Sequence, residues 1–196
     1  MDALVLKIAE LLEANKIINK NDMELYKYGL EIFIMTVVEL GAVLLVSAII
    51  GNFVETFIFL IGFMPIRIYA GGYHADTRLR CFLVLLMVYI FFSILLNRVE
   101  FINYKYLVML ISASGILSIA LISPIKHKNK RITESEGIRY KTIAIILSTI
   151  ESAIIDICMF LNYSNLYVNA LVIGLFTAII SLLAGKIKTT IEKGGV

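Results

Sequence analysis

Charge is scarce in this sequence. Asp, Glu, Lys and Arg make up 17% of its 196 residues, against about 25% in an ordinary soluble domain. A water-facing globular surface is therefore excluded for most of the chain. Proline occurs twice and there is no low-complexity tract, which argues against a disordered linker. The two cysteines, Cys81 and Cys158, stand far apart and do not make a disulfide framework. No internal repeat is visible. Asp2, Glu10, Glu13 and Asp22 interrupt the opening segment, where a cleavable secretory signal would need an uncharged apolar core, so no such signal is expected. What is abundant is apolar: 60% of residues are hydrophobic and the mean hydropathy is +0.90. These residues come in long runs separated by short polar segments. The length admits one compact unit, so residues 1–196 read as a single integral membrane domain with no separate soluble domain.

Six apolar stretches are apparent, at 30–50, 53–65, 82–97, 106–123, 142–162 and 166–184. A helix needs about 20 apolar residues to cross a hydrocarbon core of roughly 30 Å. The first, fourth, fifth and sixth approach that length. The second carries Glu55 and stops at Pro65, which leaves it either a short crossing or a re-entrant segment; the third is also slightly short. The expected fold is an all-α membrane protein of about six transmembrane helices. Ahead of them, Leu4, Ile8, Leu11 and Leu12 fall at helical spacing among charges, which predicts an amphipathic N-terminal helix. That helix lies either on the cytoplasmic membrane face or against the end of the bundle.

Lys and Arg of membrane proteins accumulate on the cytoplasmic side. With six spans and a cytoplasmic N-terminus, sixteen of the eighteen basic residues fall on one side, leaving only Arg98 and Lys105 on the other. Both termini, the 66–81 loop and the 124–141 loop are accordingly expected in the cytoplasm.

The loop between the second and third stretches, Arg67-Ile-Tyr-Ala-Gly-Gly-Tyr-His74-Ala-Asp-Thr-Arg-Leu-Arg-Cys81, holds one of two histidines and one of two cysteines. A thiolate nucleophile needs a base or a cationic setting, and imidazole is the usual partner. On an unbroken helix, seven residues would separate the pair by about 10 Å along the axis, so a break is required. Gly71 and Gly72 supply it, and Asp76 or Thr77 is suited to cap a new helix. Cys81 then falls near a helix N-terminus, whose exposed amides favour an anion, with Arg78 and Arg80 alongside. Taken alone, a His and a Cys in such a loop are often incidental. A metal site would need more ligands than Asp76 and the distant His127 provide. Cys158 reads as a small apolar filler within the fifth stretch.

The run Arg67-x-Tyr69-Ala-Gly-Gly-Tyr-His74-Ala, with Cys81 seven residues after the histidine, resembles the signature of the accessory gene regulator B family, bacterial membrane endopeptidases that process quorum-sensing peptide precursors. The resemblance implies a cysteine endopeptidase with His74 and Cys81 as its catalytic pair. Its motif arginine and glycine correspond to Arg67 and Gly72. The implied substrate is a small precursor peptide of the AgrD type with an acidic C-terminal tail. Cleavage would proceed through a thioester on Cys81, from which a cyclic autoinducing peptide is released. A homodimer in the bacterial cell membrane is implied, and no cofactor or metal. Arg67 with Gly71 and Gly72 would orient the substrate or present backbone amides to the oxyanion; alternatively, Arg67 is a structural, snorkelling residue.

The 124–141 loop carries six basic residues, among them Lys126, Lys128, Lys130 and Arg131, against Glu134 and Glu136. They serve topology and anionic lipid, or they dock the acidic tail of a peptide; their place against the membrane disfavours nucleic acid. Glu31, Glu39, Glu55, Glu151 and Asp156 lie in or beside apolar stretches, where carboxylates are costly and face a partner or a polar interior. Glu55 and Glu151 would line a peptide cavity or stabilise the imidazolium of His74, or hold helices together, the role that suits Asp156. A small peptide or ion transporter would also place carboxylates here, but it would show broken helices in both halves, and only the 62–72 region is broken. A non-catalytic scaffold would leave the His/Cys spacing without a purpose.

Overall fold

The computed structural model describes residues 2–19, 22–73, 78–125 and 133–194. Among them are seven α-helices, a 3₁₀ turn at Phe101–Tyr104 and no strand. The helices are α1 (Asp2–Ala14), α2 (Met23–Ile50), α3 (Phe53–Ala70), α4 (Arg78–Arg98), α5 (Lys105–Ile122), α6 (Glu134–Phe160) and α7 (Leu166–Gly194). Five segments are long and apolar enough to cross a membrane, and α4 adds a shorter apolar stretch at Phe82–Arg98. The chain is an all-α membrane protein.

Two compact units are present, Met1–Ile49 and Ile50–Val196. In the first, α1 buries Val5 and Ala9, while Leu4 and Leu11 are exposed. Ile8 and Leu12 are half-buried between these two groups. The apolar arc of α1 is therefore broader than the predicted Leu4–Ile8–Leu11–Leu12 stripe. One edge of it is covered, and the other stays open beside Lys7.

In the second unit α7 is the central element, in contact with α3, α4, α5 and α6. Small residues make this possible. A Cβ on Gly174 would lie 2.9 Å from the Phe59 carbonyl oxygen, so α3 and α7 meet backbone to backbone. In a membrane, helices associate through such close packing and through interhelical hydrogen bonds. Phe59 stacks on Phe92 with ring centroids 4.4 Å apart, tying α3 to α4. At the start of α3, buried Asn52 accepts hydrogen bonds from Tyr89 Oη at 3.1 Å and Thr56 Oγ1 at 3.4 Å, and donates to Ser93 Oγ at 3.3 Å. Between α5 and α6, Ser112 Oγ lies 2.9 and 3.2 Å from the two carboxylate oxygens of Asp156. Asp156 thus holds two helices together.

Several boundaries differ from the hydropathy reading. The second stretch does not end at Pro65: α3 continues through it to Ala70. Proline forfeits one backbone hydrogen bond there, and the helix, 18 residues and about 27 Å long, has the reach of a crossing. Helix α6 begins at Glu134, eight residues before its apolar stretch, because Thr133 caps it. Thr133 Oγ1 accepts the Glu136 N–H at 3.3 Å, and Glu136 Oε2 accepts the Thr133 N–H at 2.9 Å, a reciprocal capping box. Helix α7 likewise runs past 184 to Gly194.

Candidate active site

Helix α3 ends at a glycine. At Gly71 the chain takes φ +79 and ψ −179, a region open only to glycine without strain. The helix stops there, and Gly71-Gly72-Tyr73 continues as a non-helical strap. Its close neighbours leave no room for side chains: a Cβ on Gly71 would lie 3.1 Å from Ile125 Cβ, and one on Gly72 would lie 2.5 Å from Ser181 Oγ. Beneath the strap, a Cβ on Gly185 of α7 would lie 2.6 Å from the Gly72 carbonyl carbon.

Hydrogen bonds fix the strap on both sides. The Tyr73 N–H donates to the Ser181 carbonyl oxygen at 2.8 Å, with Ser181 Oγ 3.3 Å away. Arg67 Nη2 donates to the Tyr73 carbonyl oxygen at 2.7 Å, and Nη1 donates to Ser181 Oγ at 3.3 Å. The guanidinium also lies 5.5 Å from the centre of the Phe63 ring. The Ile125 N–H donates to the Ala70 carbonyl oxygen at 3.0 Å, which brings the end of the α5 segment against the same turn. Lys188 Nζ lies 5.3 Å over the Tyr73 ring, and Tyr69 meets Tyr140 of α6 edge-on at 5.7 Å.

Arg67 is thus a clamp within the protein, reaching from α3 to the strap and to α7. Among the described residues, the Gly71 N–H donates to the Arg67 carbonyl oxygen at 3.0 Å and the Tyr73 N–H to Ser181. His74, with Asp76 and Thr77, lies outside the described residues, as do Lys126, Lys128, Lys130 and Arg131. Cys81 is the fourth residue of α4, in the first turn of that helix. The described basic residues of this unit fall mainly at the strap end, with Arg67, Arg80, Arg139, Lys141, Lys186 and Lys188 against Arg98 and Lys105 at the other.

The intramembrane carboxylates separate by role. Glu151 is buried, and a Cβ on Gly62 of α3 would collide with its carboxylate. Its Oε1 has no hydrogen-bond partner among the described residues. It stands eleven residues along α6 from Tyr140, about 16 Å deeper, away from the strap. Cys158 is half-buried on α6, and the described residues contain no cluster suited to a metal ion.

Arg67, Gly71 and Gly72 come together at this turn with Ser181 and Gly185 of α7, which the sequence did not single out. Their only sequence signal is the small-x-x-x-small spacing of Ser181-Leu-Leu-Ala-Gly185 on an apolar helix.

The chain is similar in sequence to known proteins. The accessory gene regulator protein B of Staphylococcus aureus (strain bovine RF122 / ET3-1) is 25% identical over 121 residues, which cover 62% of this chain and 64% of that protein. AgrB-like protein 2 of Clostridium perfringens (strain 13 / Type A) is 26% identical over 164 residues, covering 81% of this chain and 77% of its own length. AgrB-like protein 1 of the same strain is 28% identical over 71 residues, 36% of this chain and 38% of that protein. No solved structure matches. The sequence model of accessory gene regulator B matches residues 5–182, and the chain belongs to that family.

Proposed function

We propose that this protein is a membrane-embedded cysteine endopeptidase that processes a quorum-sensing precursor peptide. The observation that carries the reading is the Arg67-to-Cys81 motif, set at the end of α3 and the start of α4 in a chain that belongs to the accessory gene regulator B family. Cys81 is the nucleophile and His74 its base. The position of Cys81 in the first turn of α4 favours thiolate, because the unpaired amides of a helix N-terminus carry partial positive charge.

In the reaction, His74 takes the thiol proton and the thiolate attacks the scissile carbonyl carbon. The tetrahedral oxyanion collapses, the C–N bond breaks, and the new amine of the acidic C-terminal tail leaves with the proton from His74. The N-terminal part of the precursor stays on Cys81 as a thioester. An internal cysteine or serine of the peptide then gives its proton to His74 and attacks the thioester carbonyl, which expels Cys81 as thiolate and closes a ring. Its effective molarity, up to about 10⁵–10⁸ M in well-oriented cases, lets it outrun water. Arg67 and the Gly71-Gly72 turn orient the substrate or provide a backbone amide to the oxyanion. Lys126, Lys128, Lys130 and Arg131 dock the acidic tail. The protein is a homodimer of single integral domains in the bacterial cell membrane, with both termini and the catalytic loop at the cytoplasmic face.

The test is cleavage of short peptides encoded beside its gene, by purified protein in lipid. Cys81→Ser and His74→Ala are each expected to lower turnover at least about 100-fold, since general-base and nucleophile contributions are of that order or larger. Full activity in Cys81→Ala removes the reading.

A further inference from the structure

We propose that Ser181 and Gly185 of α7 are positioning residues for this cleavage. With Arg67 they form a platform that fixes the backbone at Gly72 and Tyr73, and so fixes where the chain enters the His74 segment. The proposal rests on the reading of His74 as the base for Cys81.

Three observations converge on the platform. Ser181 and Gly185 lie one turn apart on one face of α7, and Lys188, a further turn on, covers the Tyr73 ring at 5.3 Å. The strap touches this face through its backbone: the Ser181 carbonyl takes the Tyr73 N–H at 2.8 Å, and Gly185 lies under the Gly72 carbonyl carbon, where a Cβ would approach to 2.6 Å. The opposite edge of the strap is held by a cation, since the Arg67 guanidinium spans the Tyr73 carbonyl at 2.7 Å and Ser181 Oγ at 3.3 Å. Charge-assisted hydrogen bonds of this kind are about twice as strong as neutral ones. Both polar groups of the Tyr73 backbone are therefore fixed, one by α7 and one by Arg67.

Consecutive Cα atoms are only about 3.8 Å apart across a trans peptide. A displacement at Gly72 or Tyr73 is thus carried into residue 74 almost undiminished, and a misplacement of about 1 Å in a catalytic group costs about 100-fold in rate. A methyl group at 185 finds the side chain of Ile125 at 3.0 Å, but its two nearest neighbours are backbone atoms of Gly72, at 2.6 and 2.8 Å. It meets the Gly72 backbone and must move the strap. Removing the Ser181 hydroxyl takes one partner from Arg67 but leaves the carbonyl bond to Tyr73, so its effect is smaller.

The experiment measures the alkylation of Cys81 by iodoacetamide from pH 5 to 10, in a Cys158→Ala background in lipid, with mass spectrometry as the readout. It compares the parent, His74→Ala, Gly185→Ala, Ser181→Ala and Gly174→Ala. The last disturbs the same α3–α7 contact eleven residues away, about 16 Å along the helix, and controls for general loss of packing. Gly185→Ala is expected to move the alkylation midpoint upward toward that of His74→Ala and to slow alkylation at pH 7 about tenfold. Ser181→Ala is expected to move it part of the way, and Gly174→Ala to leave it at the parent value. If Gly185→Ala does not fold, the shift in Ser181→Ala decides. Parent-like profiles in Gly185→Ala and Ser181→Ala, with His74→Ala shifted, overturn the platform and leave the enzyme reading standing. An equal shift in Gly174→Ala reduces the effect to packing and overturns the platform as well. If His74→Ala matches the parent, the base assignment falls and the platform falls with it.

Discussion

Arg67 reaches past the end of its own helix and donates a 2.7 Å hydrogen bond to the carbonyl of Tyr73, the residue that precedes His74. Its second nitrogen lies 3.3 Å from Ser181. A planar guanidinium can span both partners at once, whereas the compact ammonium of lysine cannot. Arg67→Lys is therefore expected to lower turnover about tenfold or more while leaving topology intact. Arg67→Leu leaves the Tyr73 carbonyl without its cation and should in addition cost about 1–3 kcal/mol of stability, measured as denaturant unfolding in detergent. Parent-like turnover in Arg67→Lys would mean that charge alone suffices at this position.

The concentration of basic residues at one end of the bundle predicts its orientation. Single cysteines placed at Asn103, Asn129 and Ser164 in a Cys-free background should respond differently to an impermeant thiol reagent added outside intact cells. Asn103→Cys and Ser164→Cys should label and Asn129→Cys should not. Labelling of Asn129→Cys alone would invert the topology.

Ser112 and Asp156 join α5 to α6 through contacts of 2.9 and 3.2 Å. Interhelical hydrogen bonds in membranes average about 0.6 kcal/mol, with a maximum of about 1.7. A double-mutant cycle of Ser112→Ala and Asp156→Ala should give a coupling energy of about 1 kcal/mol, read from unfolding in mixed micelles. Asp156→Asn, which keeps an acceptor, should cost less than Asp156→Ala. A coupling indistinguishable from zero would remove Asp156 as a helix tie.

Charge reversal tests whether the second basic loop docks an acidic tail. Changing Lys126, Lys128, Lys130 and Arg131 together to Glu should raise the apparent KM for an acidic-tailed precursor, with the largest effect at low salt, where the screening length is longest. Labelling at Asn129→Cys in the same background checks that insertion is unchanged. An unaltered KM at low ionic strength would leave the loop with a topological role only.

The spans were legible because hydropathy over 18 or more residues is decided by transfer into lipid, which local detail cannot override. Their polar extensions were harder to see. Thr133-Glu134-Ser135-Glu136 has the spacing of a capping box, but it lies outside the apolar run, so hydropathy alone began α6 at residue 142. Pro65 looked like a terminus because proline removes an N–H, yet one missing bond did not end a helix as well packed as α3. The motif itself was readable around His74 and Cys81, since its residues are close in sequence. The platform beneath it was not, because Tyr73 and Ser181 are 108 residues apart and only the packing of α3 on α7 brings them together. Glu151 likewise gave no hint of facing Gly62 and not the strap.

Trapping the acyl-enzyme tests the central claim most directly. Purified protein in lipid is mixed with the precursor, quenched in acid within one turnover, and digested for mass spectrometry of the Cys81 peptide. The account predicts the N-terminal fragment of the precursor attached to Cys81, its loss on treatment with hydroxylamine, and a released product one water lighter than the linear fragment. In His74→Ala the adduct should be absent. Cleavage that yields only the linear acid, with Cys81 unmodified at every time point, would contradict it.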